Sequence, residues 1–214
     1  MPLDGAGSWA PVALSSDLPP GTVIPAWTSV GSIALWRSQS GRATASSDRC
    51  PHRGMRLSHG FVRGEALSCI YHGWSYSVSG GCIRIPAHPD LVPPDSIRVA
   101  VQQVEESGGI LWVAVGLPAM RPPQLDELEP LRSLSVETTV AAIEAAAGAK
   151  ADARGLIRLP EFPWISLLLA AQEKHTLVLL MIEKHRSAAD RITASRIVES
   201  LRRTAEERHR EIAG

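Results

Sequence analysis

Cys50-Pro51-His52 and Cys69-Ile70-Tyr71-His72 supply two thiols and two imidazoles in two short clusters with sixteen residues between them. Thiolate and imidazole are the ligands that zinc and iron-sulfur centres take. A single C-x-H or C-x-x-H would carry little weight, because short Cys/His patterns arise by chance. Two in tandem, each with one Cys and one His, must close as loops over one shared centre. A tetrahedral zinc ion accepts two Cys and two His. A binuclear iron cluster accepts the same four by dividing them, two thiolates to one iron and two imidazoles to the other, which raises its reduction potential above that of an all-cysteine cluster.

The neighbouring residues favour iron. Cys50-Pro51-His52-Arg53-Gly54, the Leu57-Ser58 that follows, and Tyr71-His72-Gly73-Trp74 resemble the Rieske domain of the aromatic-ring-hydroxylating (Rieske non-heme iron) oxygenases. The resemblance runs over roughly residues 22 to 116, from a lead-in at Leu35-Trp36-Arg37 to Gly80-Gly81-Cys82-Ile83 and beyond. It implies that Cys50, His52, Cys69 and His72 hold a Rieske-type 2Fe-2S cluster at one tip of stacked antiparallel sheets. The cysteine-bound iron would lie deeper and the histidine end would be the docking face. Gly54, Gly60, Gly64 and Gly73 would permit the tight backbone that brings amide N–H groups to the cluster sulfurs.

The respiratory-chain branch of this family ties its two loops with a disulfide, whereas here Met55 and Ile70-Tyr71 occupy the corresponding places. Trp74 stands where high-potential members carry a serine bonded to a cluster sulfur. Tyr76 matches a tyrosine that bonds a ligand cysteine. An intermediate to low potential is implied. Arg53 and Arg56 beside the first ligand are candidates for docking or for the field around the cluster. His59 and His88 flank the loops, and His88 reads as an ordinary loop residue.

Cys82 is the third and last cysteine, so no structural disulfide is expected, and it reads as a small buried hydrophobe. This usage fits a reducing compartment. Met1-Pro2-Leu3-Asp4 lacks the basic and apolar regions of a signal peptide, and the apolar stretch Trp164 to Ile182 is broken by Gln172-Glu173-Lys174-His175, so no membrane span is expected. A cytoplasmic protein is the expectation. Twenty-two basic residues balance twenty-two acidic ones, which gives no reason to expect nucleic acid as a partner.

The elements that must position the ligands read as follows. Residues 1–116 are punctuated by Gly and Pro, with candidate strands at Ser32 to Arg37, Arg42 to Ser46, Ala66 to Ile70, Trp74 to Val78, Ile97 to Val104 and Ile110 to Val115. Gly108-Gly109 reads as a hairpin turn. Residues 117–130 gather prolines and read as a linker. In residues 131–214, Ser135 to Ala145 fits a strand or a short helix. Trp164 to Ala171 and Thr176 to Ile182 read as an apolar hairpin. Ala194, Val198, Leu201, Ala205 and Ile212 recur at helical spacing, with Arg202/Glu206 and Arg203/Glu207 as i,i+4 pairs, so Ser187 to Ile212 reads as a long amphipathic helix that covers the hairpin. The fold class is mainly β with a C-terminal helix, a Rieske-type domain followed by a small α+β region.

That tail is similar to a shortened version of the family's catalytic domain, a curved sheet gripped by a C-terminal helix. The family holds a mononuclear iron with two histidines and a carboxylate, in an Asp/Glu-x-x-His-x-x-x-x-His stretch soon after the Rieske domain. No histidine lies between His88 and His175. His175, His185, Asp190 and His209 are the remaining candidates in the tail, and they read as solvated surface groups. The expected function is therefore single-electron transfer, with a reductase or ferredoxin as donor and an oxygenase subunit or another protein as acceptor. A complete oxygenase with an unrecognised iron site, or an oxygenase fragment that acts as an assembly partner, are the alternatives. The apolar hairpin is expected to exceed what one helix covers, which points to assembly with another copy.

Overall fold

Short β-branched and aromatic runs between Gly and Pro do form strands here. The structure is a computed structural model, and it describes residues 7–173 and 175–213, the side chains of 211–213 excepted. Met1-Pro2-Leu3-Asp4, Lys174 and the Ile212 side chain, on which three expectations rest, lie outside the described residues.

In chain order the first strands are β1 (Ser8–Leu14), β2 (Val23–Thr28), β3 (Gly31–Arg37) and β4 (Ala43–Ser47). A second group follows as β5 (Phe61–Arg63), β6 (Ala66–Ser68), β7 (Ser75–Ser77) and β8 (Cys82–Arg84). Then come β9 (Val101–Gln102), β10 (Val104–Ser107) and β11 (Ile110–Val115). They form three sheets, ordered β2-β3-β4-β9, β5-β6-β7-β8 and β1-β11-β10. By Cα proximity the chain divides into two units. Residues 7–9, 15–105 and 112–119 make the first, and 10–14, 106–111 and 120 onward the second, so the β1-β11-β10 sheet contributes to both.

Within the first unit, β3 is the central strand of its sheet, and Ile33, Ala34, Leu35 and Trp36 are all buried. Ala34 and Trp36 share one core with Leu67 of β6, Tyr76 of β7 and Cys82 of β8, together with Cys50 and Cys69. The two four-stranded sheets thus meet across a core that already contains both cysteines of the candidate ligand set. Cys82 is buried as expected, and burial pushes its thiol up.

The expected strand Ile97 to Val104 is not one strand. Cys82 N–H bonds Ile97 O and Val99 N–H bonds Gly80 O, both at 2.9 Å, and Arg98 bridges Gly81. Two residues later Val101 pairs with Ser46 of β4. The segment changes partner from one sheet to the other, which breaks its regular ladder. Gly80 permits the crossing, since a Cβ there would lie 2.2 Å from Val99 O. Gly108 and Gly109 take left-handed φ values of 61° and 73° and join β10 to β11, as a type I′ turn requires.

In the second unit, β12 (Leu128–Val136) is followed by α1 (Val140–Ala147), β13 (Leu156–Arg158), β14 (Ile165–Ala171), β15 (Thr176–Glu183) and α2 (Ala188–Ala213). The stretch Ser135 to Ala145 is therefore both strand and helix. Thr139 divides them, its hydroxyl accepting from Ala142 N–H as an N-cap. The Pro-rich segment 117–130 runs into β12 at Leu128.

The sheet order is β12-β15-β14-β13, all antiparallel, with Ile165 opposite Ile182 and Ala171 opposite Thr176 in the hairpin. One face packs Leu134, Val136, Ile165, Leu167, Val178, Leu180 and Ile182 against Ile143 of α1 and Ala194, Val198 and Ala205 of α2. A capping box of Ser187 and Asp190 starts α2. Arg202 bonds Glu206 as expected and Glu199 as well, while Arg203 reaches back to Glu199 at 3.4 Å.

One expectation is corrected. The hairpin does not leave an uncovered apolar face: Leu168, Leu179 and Met181 point away from the helices and are nevertheless fully buried. The sheet is thus buried on both faces within its own chain. The apolar excess in the sequence reflects a strand pair that has two faces to fill.

Candidate metal centre

The two clusters fold into loops closed in the same way. In the first, after β4, Cys50 N–H bonds Met55 O and Gly54 N–H bonds Cys50 O, both at 2.8 Å. In the second, between β6 and β7, Cys69 N–H bonds Trp74 O at 2.9 Å and Gly73 N–H bonds Cys69 O at 3.0 Å. Each cysteine thus donates to the carbonyl five residues on and accepts from a glycine four residues on. Both glycines have a φ of 70°, a conformation that costs other residues strain. These closures explain why β6 ends at Ser68 and β7 begins at Ser75, inside the expected strands Ala66 to Ile70 and Trp74 to Val78.

A polar pair pins the base of each loop. Asp48 is fully buried just before the first cysteine and accepts from Ser58 N–H at 2.7 Å and Ser58 Oγ at 2.9 Å. Ser68 and Ser75 share a hydroxyl bond of 2.8 Å across the second. Arg49 donates to Gly54 O at 3.1 Å. Asp48 went unnoticed in the sequence, where an acidic residue two positions before a candidate ligand has no distinguishing signal.

The four candidate side chains come together from the two loops. Cys50 and Cys69 are 2% exposed and their thiols neighbour one another, while His52 is half-buried and His72 exposed. The imidazoles of His52 and His72 meet edge to face with centroids 4.7 Å apart. Tyr76 Oη lies 3.1 Å from Cys50 Sγ. Burial, and then this bond, push the Tyr76 phenol far up, so it keeps its proton. Burial raises the Cys69 thiol, and the amides of Tyr71 and His72 pull it down. Desolvation, His72 and Arg53 lower His52.

Two further rings complete the site. Trp74 lies flat on His52, with centroids 4.4 Å apart and planes 3° apart, and Tyr71 sits against His72 at 3.8 Å. The Trp74–His52 stack is not visible in the sequence, because which residues stack across loops is set by the closure geometry.

The tail residues do not join this site. His175 precedes β15 and His185 follows it with a left-handed φ of 66°. Asp190 serves the cap of α2, and His209 is half-buried on the same helix. Among the described residues no three His, Cys, Asp or Glu side chains converge on one point, as a single ion would require. A binuclear cluster divides its ligands in pairs, and the pairs it would take here are Cys50/Cys69 and His52/His72. His59 and His88 are exposed, as are Arg49, Arg53, Arg63 and Arg84.

A family profile for the Rieske [2Fe-2S] domain matches residues 8–104. Over 115 residues the chain is 44% identical to the oxidoreductase NdmD of Pseudomonas putida, covering 53% of this chain and 20% of that protein. It is 33% identical over 138 residues to the 3-chlorobenzoate-3,4-dioxygenase oxygenase subunit of Comamonas testosteroni, covering 64% of this chain and 32% of that one. The chain thus spans about a fifth to a third of the length of these relatives. Dicamba monooxygenase shares its fold over 99% of this chain and 89% of the other, with a TM-score of 0.69 at 18% identity. NdmB of Pseudomonas putida CBB5 does so over 92% and 81%, with a TM-score of 0.66 at 17% identity.

The chain is similar to iron-sulfur proteins over residues 8–104. It carries a Rieske [2Fe-2S] domain of the kind found in ring-hydroxylating oxygenase subunits, and a Rieske-type 2Fe-2S cluster is its cofactor.

Proposed function

We propose that this chain is a single-electron carrier in a ring-hydroxylating or related oxygenase system, with Cys50 and Cys69 on one iron of its cluster and His52 and His72 on the other. The carrying observation is the pair of identically closed loops that set two buried thiols beside each other and two imidazoles edge to face nearer the surface. When bound, the cluster supplies reversible one-electron chemistry at a potential set by hydrogen bonds to sulfur and by solvent exposure. The chain's own residues supply those controls. Tyr76 shares a hydrogen bond with Cys50 in which the phenol would donate to an iron-bound thiolate, the Tyr71 and His72 amides face Cys69, and the hydrophobic core excludes water from both cysteines.

The histidine end is the face for electron partners. Ile70 and Tyr71 beside His72 are more than half exposed, an apolar centre suited to a transient contact. The segment 49–88, which contains both ligand loops, carries five arginines, Arg49, Arg53, Arg56, Arg63 and Arg84, against the single exposed carboxylate of Glu65, in a chain with zero net charge. A donor or acceptor with an acidic surface is steered to such a face. A reductase or ferredoxin would be the donor and an oxygenase subunit the acceptor, as the relatives' names suggest. No helix among the described residues is long and apolar enough to cross a membrane, and three free cysteines fit the reducing cytoplasm.

Iron counting tests the reading. About two irons and two sulfides per chain, with reduction by a reductase and no product from an aromatic substrate, support a carrier. About three irons with coupled product formation would establish a complete oxygenase.

A further inference from the structure

Nothing covalent ties the two ligand loops, since Cys50, Cys69 and Cys82 are all free. Their closing backbone bonds run within each loop, from Cys50 to Met55 and from Cys69 to Trp74. Rings cross between the loops. His52 of the first meets His72 of the second by its edge, and Trp74 of the second covers the face of His52.

Met55 and Trp74 hold equivalent places, each with its carbonyl bonded to the cysteine N–H that opens its loop. Both side chains also pack partly against the same core. Only the second loop carries an indole there, and its planes lie 3° from parallel with the imidazole of the other loop. The geometry points to Trp74 as a positioning residue: an aromatic clamp that fixes the rotation of His52 and holds the two loops at the separation their shared cluster requires. This rests on the assignment of His52 and His72 as ligands.

The physical basis is direct. An imidazole on a half-buried loop can rotate about its bond to Cβ, which swings both ring nitrogens. A flat indole at 4.4 Å holds the imidazole to one plane and keeps water off that face. The indole is itself mounted on the Cys69 loop through the Trp74 carbonyl, so rotation of His52 and separation of the loops are resisted by the same contact.

The test uses the full chain with its cluster and two variants. Trp74→Met installs the residue that the first loop tolerates at the equivalent place, and Trp74→Phe keeps an aromatic face. Cluster loss is followed by visible absorption under excess chelator, and the imidazole nitrogens by pulsed electron paramagnetic resonance of the reduced protein. Trp74→Met is expected to lose the cluster roughly three- to tenfold faster, with the coupling of one histidine nitrogen changed. Trp74→Phe should restore most of the lifetime, and Met55→Leu, at the equivalent position, should leave both nitrogen couplings in place. A Trp74→Met protein with wild-type lifetime and couplings, or a Trp74→Phe protein as labile as Trp74→Met, would overturn the clamp. Absence of two histidine couplings in the wild type would instead remove the ligand assignment.

Discussion

Tyr76 Oη sits 3.1 Å from Cys50 Sγ, a hydrogen bond between the β7 phenol and the first loop in which a sulfur bound to iron would be the acceptor. Reduction adds negative charge to the sulfurs, so a donor there favours the reduced state. Tyr76→Phe should lower the reduction potential by on the order of tens of millivolts while the visible spectrum keeps its form. Voltammetry on both proteins measures it, and an unchanged or higher potential would contradict the donor role.

The arginine-rich face makes a kinetic prediction. Electron transfer with an acidic partner should slow steeply as ionic strength rises, because screening lengths fall to about 10 Å near 0.1 M salt. Arg53→Glu and Arg84→Glu should lower the second-order rate at low salt and leave the potential nearly unchanged, whereas Arg196→Glu on α2 should change neither the rate nor the potential. Stopped-flow reduction by an acidic ferredoxin reads this. A rate that is flat with salt in the wild type would rule out steering by charge.

Strand β15 of the tail sheet is buried from Thr176 to Ile182. Leu180 lies in the face packed on α1 and α2 and is fully buried. Leu180→Ala should cost about 2–5 kcal/mol, seen as a lower urea midpoint. A shift worth less than about 1 kcal/mol would mean the helices do not seal this face.

Glu144 links α1 to the chain that follows it. The Lys150 ammonium at 2.7 Å, and then the Ala151 amide, hold its carboxyl below the usual carboxylate range. A carboxyl depressed on folding binds fewer protons folded than unfolded, so its contribution is present above the ordinary pKa near about 4.3 and is lost as pH falls through the folded value. Glu144→Gln should therefore be slightly less stable than wild type at neutral pH, with the gap closing in acid. Urea titrations at several pH values would show it, and a gap that widens on acidification would refute it.

Much of this was legible in the sequence because ligand chemistry and strand periodicity are local. Cys50, His52, Cys69 and His72, the Gly108-Gly109 turn, the hairpin centred on residues 172–175 and the helix from Ala188 each carry their own spacing signal. What was not legible is set by tertiary partners. Residues 97–102 read as one strand until Gly80 and Ser46 are seen to claim successive halves of it. Leu168, Leu179 and Met181 suggested an uncovered face because sequence shows apolar side chains without showing what lies across from them. Asp48 and Ser58, ten residues apart, become a pair only when the first loop closes.

The most direct measurement is pulsed electron paramagnetic resonance of the reduced protein with histidine selectively labelled with nitrogen-15. Two strongly coupled histidine nitrogens are predicted, together with their loss in His52→Ala and His72→Ala proteins. A reduced protein with no histidine coupling, or a purified protein that holds zinc and no iron-sulfur cluster, would contradict the assignment of these two loops as the Rieske centre.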